Sequence, residues 1–114
     1  VTEDQLKAAV IDLAHLLGWR VAHFRPAQTV HGWRTPVEAD GKGFPDLVLV
    51  RGPWVLFAEL KGDKGKLSDE QGEWLTALNA ATPHVYVWTP SHWHDGRIEE
   101  TLRLPALMIG YSDA

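Results

Sequence analysis

The run Trp54-Val-Leu-Phe-Ala-Glu-Leu60 is apolar at every position but one, the carboxylate at Glu59 next to its end. A surface helix would break such a run with polar residues on its outer side. A strand with one solvated face would alternate. Near-continuous apolarity over this length points to a strand covered on both faces, and a covered strand needs partner strands on its edges and helices above and below it. The segment before it, Asp46-Leu-Val-Leu-Val50, is a second apolar strand, and Arg51-Gly52-Pro53 between the two is turn chemistry. A chain of 114 residues has room for one such sheet, hence for one domain.

The remaining elements follow from spacing. Thr2 and Gln5 have the spacing of a capping box. Leu6, Val10, Leu13 and Leu17 then recur at helical intervals, so the spacing predicts a helix over about 3–17, stopped at Gly18. Trp19 to Phe24 reads as a strand. Residues 25–45 contain three Pro, three Gly and no period, which predicts a long loop. Ser68 and Gln71 repeat the capping box, and Trp74, Leu75 and Leu78 supply the apolar stripe of a helix reaching about Ala81. Pro83 breaks it. His84 to Trp88 is another strand, ended by Pro90, and the rest reads as irregular with a short helix around 97–103. The expected class is α/β, with an αβββαβ core and a mixed sheet flanked by helices.

Composition removes several chemistries. There are no cysteines, so a disulfide scaffold, a thiolate zinc site and a cysteine nucleophile are excluded, and the cytoplasm is the expected compartment. No run approaches the ~20 apolar residues of a membrane span, and no signal peptide is visible. His92 and His94 form an H-x-H pair with no second pair to complete a zinc site. The formal net charge is −4, which alone argues against a nucleic-acid partner. Its distribution is uneven: residues 20–66 hold eight basic against five acidic side chains, and the rest of the chain three against ten. A basic middle on an acidic body is compatible with a local anion-binding face, and equally with an ordinary solvated surface.

One constellation carries chemistry. Glu59 and Lys61 lie two apart on a strand and therefore share a face. If the two strands pair as a hairpin centred on Gly52-Pro53, paired residue numbers sum to 105 and Asp46 stands opposite Glu59. An odd loop or a bulge would shift that register. Two opposed carboxylates ~5 Å apart repel by about 3 kcal/mol at an effective dielectric of about 20. A hard divalent cation reverses the sign of that interaction, since Mg²⁺ takes one or two protein carboxylates with waters and substrate phosphate. A neighbouring Lys suits contact with a phosphate or with the attacking water. The plain alternatives are a turn aspartate after Gly43-Phe-Pro45 and a solvated strand end.

The segments Gly43-Phe-Pro-Asp-Leu-Val-Leu-Val50, Phe57-Ala-Glu-Leu-Lys-Gly62, Lys64-Gly-Lys-Leu-Ser-Asp-Glu-Gln71 and Trp74-Leu75 resemble the VRR-NUC family of the PD-(D/E)XK nuclease superfamily, in the form of its small stand-alone phage-type members. Leu17-Gly-Trp19 and Val85-Tyr-Val-Trp88 also fit, so the resemblance runs from the first helix to about Trp93 and leaves residues 95–114 uncovered. It implies a restriction-endonuclease-like fold and Mg²⁺- or Mn²⁺-dependent hydrolysis of phosphodiester bonds. Asp46 matches the family's metal-binding Asp, Glu59 and Lys61 its E-x-K motif, and the Leu60 carbonyl a further metal ligand. Gln71 matches a Gln that follows the E-x-K strand in related nucleases, although capping duty with Ser68 also explains it. Glu3 matches, more loosely, a Glu on the N-terminal helix that lies near the metal, although a favourable place at a helix N-terminus also explains it.

The expected activity is that of an endonuclease selective for branched DNA, resembling Holliday-junction resolvases or flap-nicking enzymes and acting as a homodimer, in a host cytoplasm if phage-encoded. Arg25, Arg34, Lys42, Lys64 and Lys66 flank the site in sequence and are the expected phosphate contacts. The alternative of another class is a non-catalytic nucleic-acid-binding module that retains the fold, and retention of Asp46, Glu59 and Lys61 counts against it.

Overall fold

The first helix, α1 (Glu3–Leu16), forms where the capping box predicts it: Thr2 Oγ1 accepts from Gln5 N, and Gln5 Oε1 accepts from Thr2 N. The computed structural model describes residues 1–24, 27–29, 32–34 and 37–112, with side chains described outside 25–36 and 105–114. Along it run β1 (Arg20–His23), β2 (Ala27–Thr29), β3 (Gly32–Arg34), β4 (Leu47–Arg51), β5 (Trp54–Leu60), α2 (Asp69–Ala81), β6 (Val85–Trp88), α3 (Pro90–His94) and α4 (Arg97–Ser112).

Four strands form one mixed sheet in the order β1-β4-β5-β6. β1 and β5 both run antiparallel to β4, while β6 lies parallel to β5. The parallel pair requires a crossover, and α2 supplies it. β5 therefore has a strand on each edge, as its apolar run demands. Leu56, Ala58 and Leu60 of β5 and Leu47 and Leu49 of β4 face Leu6, Val10 and Ala14 of α1 and Ile98 and Leu102 of α4, all buried in one cluster with Trp88. On the opposite face Phe44 meets Phe57 and Trp74 edge-on, which brings α2 over that side of β5. Among the described residues no helix is long and apolar enough to cross a membrane.

Two expectations need correction. The segment 25–45 is not loop throughout, because β2 and β3 pair as an antiparallel hairpin with Gln28 opposite Trp33. Strands of three residues are too short to show a period. The described residues after β6 are not irregular either. Pro90 does not merely stop β6; it opens α3 at a position where proline's missing N–H costs nothing. The short helix expected at 97–103 is α4, which runs from Arg97 to Ser112. The burial of Ile98 and Leu102 four residues apart, together with a hydrogen bond from Trp19 Nε1 to the Leu102 carbonyl at 2.9 Å, docks α4 on the core.

Because Leu102 is fully buried, Leu102→Ala should cost roughly 2–5 kcal/mol of stability. Urea denaturation followed by far-UV circular dichroism checks this, and an unchanged midpoint would mean that α4 is not part of the cooperative core.

Candidate active site

The β4–β5 register decides the geometry. Pairs run from Leu47↔Ala58 to Arg51↔Trp54, so paired numbers sum to 105 and the connection is the even, two-residue loop Gly52-Pro53. Gly52 has φ +56°, a conformation L side chains rarely adopt, and Pro53 holds a negative φ. Positive then negative is the sign pattern of a type II′ hairpin turn. One step beyond the last pair, Asp46 stands beside the end of β5, and its Oδ2 accepts the Leu60 N–H at 2.9 Å.

Glu59 is only 2% exposed. Its Oε1 accepts from Gln71 Nε2 at 2.8 Å, while its Oε2 is buried without a hydrogen-bond partner among the described residues. Burial first, and then the charge of Asp46, push its carboxyl from 4.5 up to about 8, against the pull of the Lys61 ammonium. Gln71 both caps α2 and reaches the carboxylate pair. Its side-chain oxygen accepts from Ser68 N at 2.9 Å to complete the capping box, and its side-chain nitrogen holds Glu59. The start of α2 is thereby tied to the end of β5. Lys61 follows directly, half-buried, with its N–H donated to the Trp88 carbonyl at 3.0 Å.

An orphaned, buried carboxylate oxygen beside a second carboxylate suits a hard divalent cation, which accepts several oxygen ligands. Asp46 and Glu59 could hold such an ion, with the Leu60 carbonyl at the same strand end. Glu3 does not join them: it is exposed, and among the described residues no three His, Asp or Glu side chains converge on a common point. The histidines form no metal group among the described residues either, and His92 Nδ1 instead accepts from Thr89 N at 3.1 Å.

The expected phosphate contacts divide. Lys64 and Lys66 are exposed on the loop that follows Lys61. Asp63 in that loop accepts from both Ser91 N and Ser91 Oγ, at 3.1 and 2.8 Å, and pins it to the start of α3; these bonds hold the Asp63 carboxyl below the usual range. Lys42 is exposed and pairs with Glu70 at 2.9 Å, a surface pair weak enough for a phosphate to compete with. Arg25 and the side chain of Arg34 lie outside the described residues.

Sequence reasoning also missed how the segment before Asp46 is held. Gly43 has φ +86°, and a Cβ there would lie 2.5 Å from the Glu70 carbonyl carbon and 2.7 Å from Gln71 N. Only glycine lets this segment approach the first turn of α2 so closely. Trp74 Nε1 donates to the Asp40 carbonyl at 2.8 Å, and Phe44 packs edge-on against Trp74 at 5.0 Å. The one available signal was the glycine of Gly43-Phe-Pro-Asp46.

Glu59 makes the stability of the cation-free protein depend on pH. Its folded pKa lies above its ordinary value, so its contribution is fully present below about pH 4.5 and is lost as pH rises through about 8. In chelator, the melting temperature should fall between pH 5 and 9 by the equivalent of a few kcal/mol, on the order of 1.4 kcal/mol for each tenfold gain in the carboxylate's affinity for its proton. Glu59→Gln should flatten that slope. Parallel slopes for the two proteins by scanning calorimetry would show that Glu59 is not desolvated.

The VRR-NUC domain family matches the chain over residues 12–90. No curated protein and no solved structure matches it. The matched span contains Asp46, Glu59, Lys61 and Gln71, the crossover helix α2 and the six described strands, and it stops at the first residue of α3. With its α/β core of four mixed strands between helices, and with that match over most of its length, the chain belongs to the VRR-NUC domain family, a nuclease-type domain that acts on DNA.

Proposed function

We propose that the chain is an Mg²⁺- or Mn²⁺-dependent endodeoxyribonuclease, a hydrolase of phosphodiester bonds, selective for branched DNA as Holliday-junction resolvases or flap-nicking enzymes are, and active as a homodimer. The observation that carries the hydrolytic part is the buried Glu59 Oε2, left without a partner among the described residues beside Asp46 while Gln71 holds the other oxygen. A fold under no functional demand would pair that atom or replace it. When bound, the ion supplies positive charge that favours ionisation of water and neutralises charge developing on the phosphate.

The protein's own groups supply the rest. Asp46 and Glu59, with the Leu60 carbonyl, hold the ion. Gln71 fixes one oxygen of Glu59 and so leaves Oε2 uncommitted. Asp46 is oriented by the Leu60 N–H. Lys61 sits close enough to lower the Glu59 pKa, and its ammonium offers a compact charge to a phosphate oxygen or to the attacking water. Lys64 and Lys66 stand further along the same loop as phosphate contacts. The branched-DNA preference and the dimer rest on the resemblance to small resolvase-like nucleases and on the limited surface of a 114-residue chain, which two copies side by side would double.

Asp46→Ala and Glu59→Ala should each reduce cleavage of a four-way junction in Mg²⁺ to the level seen in EDTA, with the circular dichroism spectrum unchanged. Lys61→Ala should lower kcat by on the order of 10²-fold with little effect on affinity, and Lys61→Arg should not restore it, since a planar guanidinium is not a point charge. Cleavage retained in both carboxylate variants would refute this site, whereas wild-type protein that binds the junction without cleaving it in Mg²⁺ would reduce the chain to a binding module.

Binding read in Ca²⁺, which supports binding without cleavage at such sites, tests the remainder. Lys64→Ala and Lys66→Ala should each weaken binding on all sequences and make the slope of log K against log salt shallower by about one. A monomer by sedimentation with equal affinity for junction and duplex would refute the dimer and the branched preference, and would leave the hydrolytic site standing.

A further inference from the structure

A ring stands in the same row as the carboxylates. β1 pairs with β4 from Arg20↔Val50 to His23↔Leu47, and the next residue, Phe24, donates its N–H to the Asp46 carbonyl at 3.1 Å. Phe24 is thus the cross-strand neighbour of Asp46, as Glu59 is on the other side. Directly opposed residues share a face. Ring contacts agree: Phe24 meets Phe44 at 5.6 Å, and Phe44 meets Phe57, which lies on the Glu59 face of β5. Phe24, Asp46 and Glu59 therefore form one transverse row over three strands. Gln71 closes the row at the Glu59 end. At the other end Phe24 is 42% exposed.

Among the described residues the exposed ring of Phe24 has one ring contact, to Phe44. Among the described large apolar residues left exposed, the others are Val and Leu, and Phe24 alone is aromatic. Its contact with Phe44 is T-shaped, at 88°. In such a pair one edge meets one face, so Phe44 leaves at least one face of Phe24 uncovered. An uncovered aromatic face next to a phosphate-cleaving centre matches a nucleobase, since every base presents a flat π-face and stacks without regard to sequence. In an intact duplex both faces of an internal base are already taken by its neighbours. Only an unpaired or splayed base offers one.

We propose that Phe24 is a DNA contact that stacks on an unpaired nucleobase flanking the phosphate at Asp46 and Glu59, so that this site selects strands with a base out of the helical stack. The inference rests on the nuclease reading and deepens it: a flap supplies an unpaired base at the cut, and the exchange point of a junction interrupts the helical stack.

The test uses the full chain in Ca²⁺ with two DNAs of one sequence, a fully paired duplex and the same duplex with a short unpaired stretch that carries 2-aminopurine. Wild-type protein should bind the unpaired DNA more tightly and change the 2-aminopurine fluorescence. Phe24→Leu, which keeps an apolar side chain, should weaken binding to the unpaired DNA by roughly 5- to 100-fold, abolish the fluorescence change and leave duplex affinity as it was. Phe24→Trp should restore both readouts. The proposal is overturned if Phe24→Leu binds the unpaired DNA as wild type does. It is also overturned if that variant loses both DNAs equally, which marks a supporting role, or if it changes only the sedimentation coefficient, which assigns the ring to a second copy. Wild-type protein that cleaves in Mg²⁺ while Phe24→Leu behaves normally would defeat this inference alone; wild-type protein that binds neither DNA would defeat the nuclease reading with it.

Discussion

A strand covered on both faces that ends in a carboxylate faces an electrostatic problem at that end. In β5 the problem is Glu59, nearly inaccessible to water and directly beside Asp46. At ~5 Å and an effective dielectric of about 20 the pair repels by about 3 kcal/mol when both are charged. The protein relieves this in parts: a proton retained up to about pH 8, an amide donor from Gln71, a main-chain N–H on Asp46 and the nearby charge of Lys61. With both carboxylates ionised, Glu59 Oε2 has no donor among the described residues. The register that creates the problem cannot be given up, because a one-residue slip of β5 would turn Leu56, Ala58 and Leu60 away from α1 and α4. The core and the strained pair are thus held by the same pairing.

The position of α2 follows from that pairing. Its first two turns are set against Glu59 by Gln71, against the main chain of Gly43 by close approach, and against the segment before Asp46 by Lys42–Glu70 and Trp74–Asp40. Residues 40–46 lead into β4, and 59–71 lead out of β5, so both sides of the site meet at one helix end. Gln71 links the two demands in one side chain. Capping uses its oxygen and the site uses its nitrogen, so a Glu in its place would keep the cap but set a third carboxylate against Glu59.

Local patterns were legible and distant ones were not. Apolar continuity gave β5 as the central strand, the residue count of the turn gave the pairing of Asp46 with Glu59, and two capping boxes gave the starts of α1 and α2. Each is written in residues a few positions apart. The docking of α4 is not, since it depends on Trp19 reaching Leu102 across 83 residues of chain. That the chain turns Lys42 toward Glu70 is likewise not written in neighbouring residues. Glu3 lies on the apolar stripe of α1 by count, yet it is the first residue of the helix and exposed, beyond the last turn that packs on the sheet.

A chain of net charge −4 can act on DNA because charge is felt locally. Phosphates respond to cations within about a Debye length, ~10 Å at 0.1 M salt, and not to the total. Among the described residues Lys7, Lys42, Arg97 and Arg103 are engaged by Asp4, Glu70, Asp95 and Glu99. Lys64 and Lys66 have no carboxylate partner among the described residues, and they share the loop that begins at Lys61. The acidic residue within that loop, Asp63, has an oxygen committed to Ser91. Its charge anchors the loop to α3 instead of pairing with the lysines. The acidic surplus therefore lies largely on helices, in Asp12, Asp69, Glu73 and Glu100; Arg20 and Arg51, also without a carboxylate partner among the described residues, stand at the far end of the β1–β4 pair, while Lys64 and Lys66 follow Lys61 at the carboxylate end, where a phosphate must sit if Asp46 and Glu59 are to act on it.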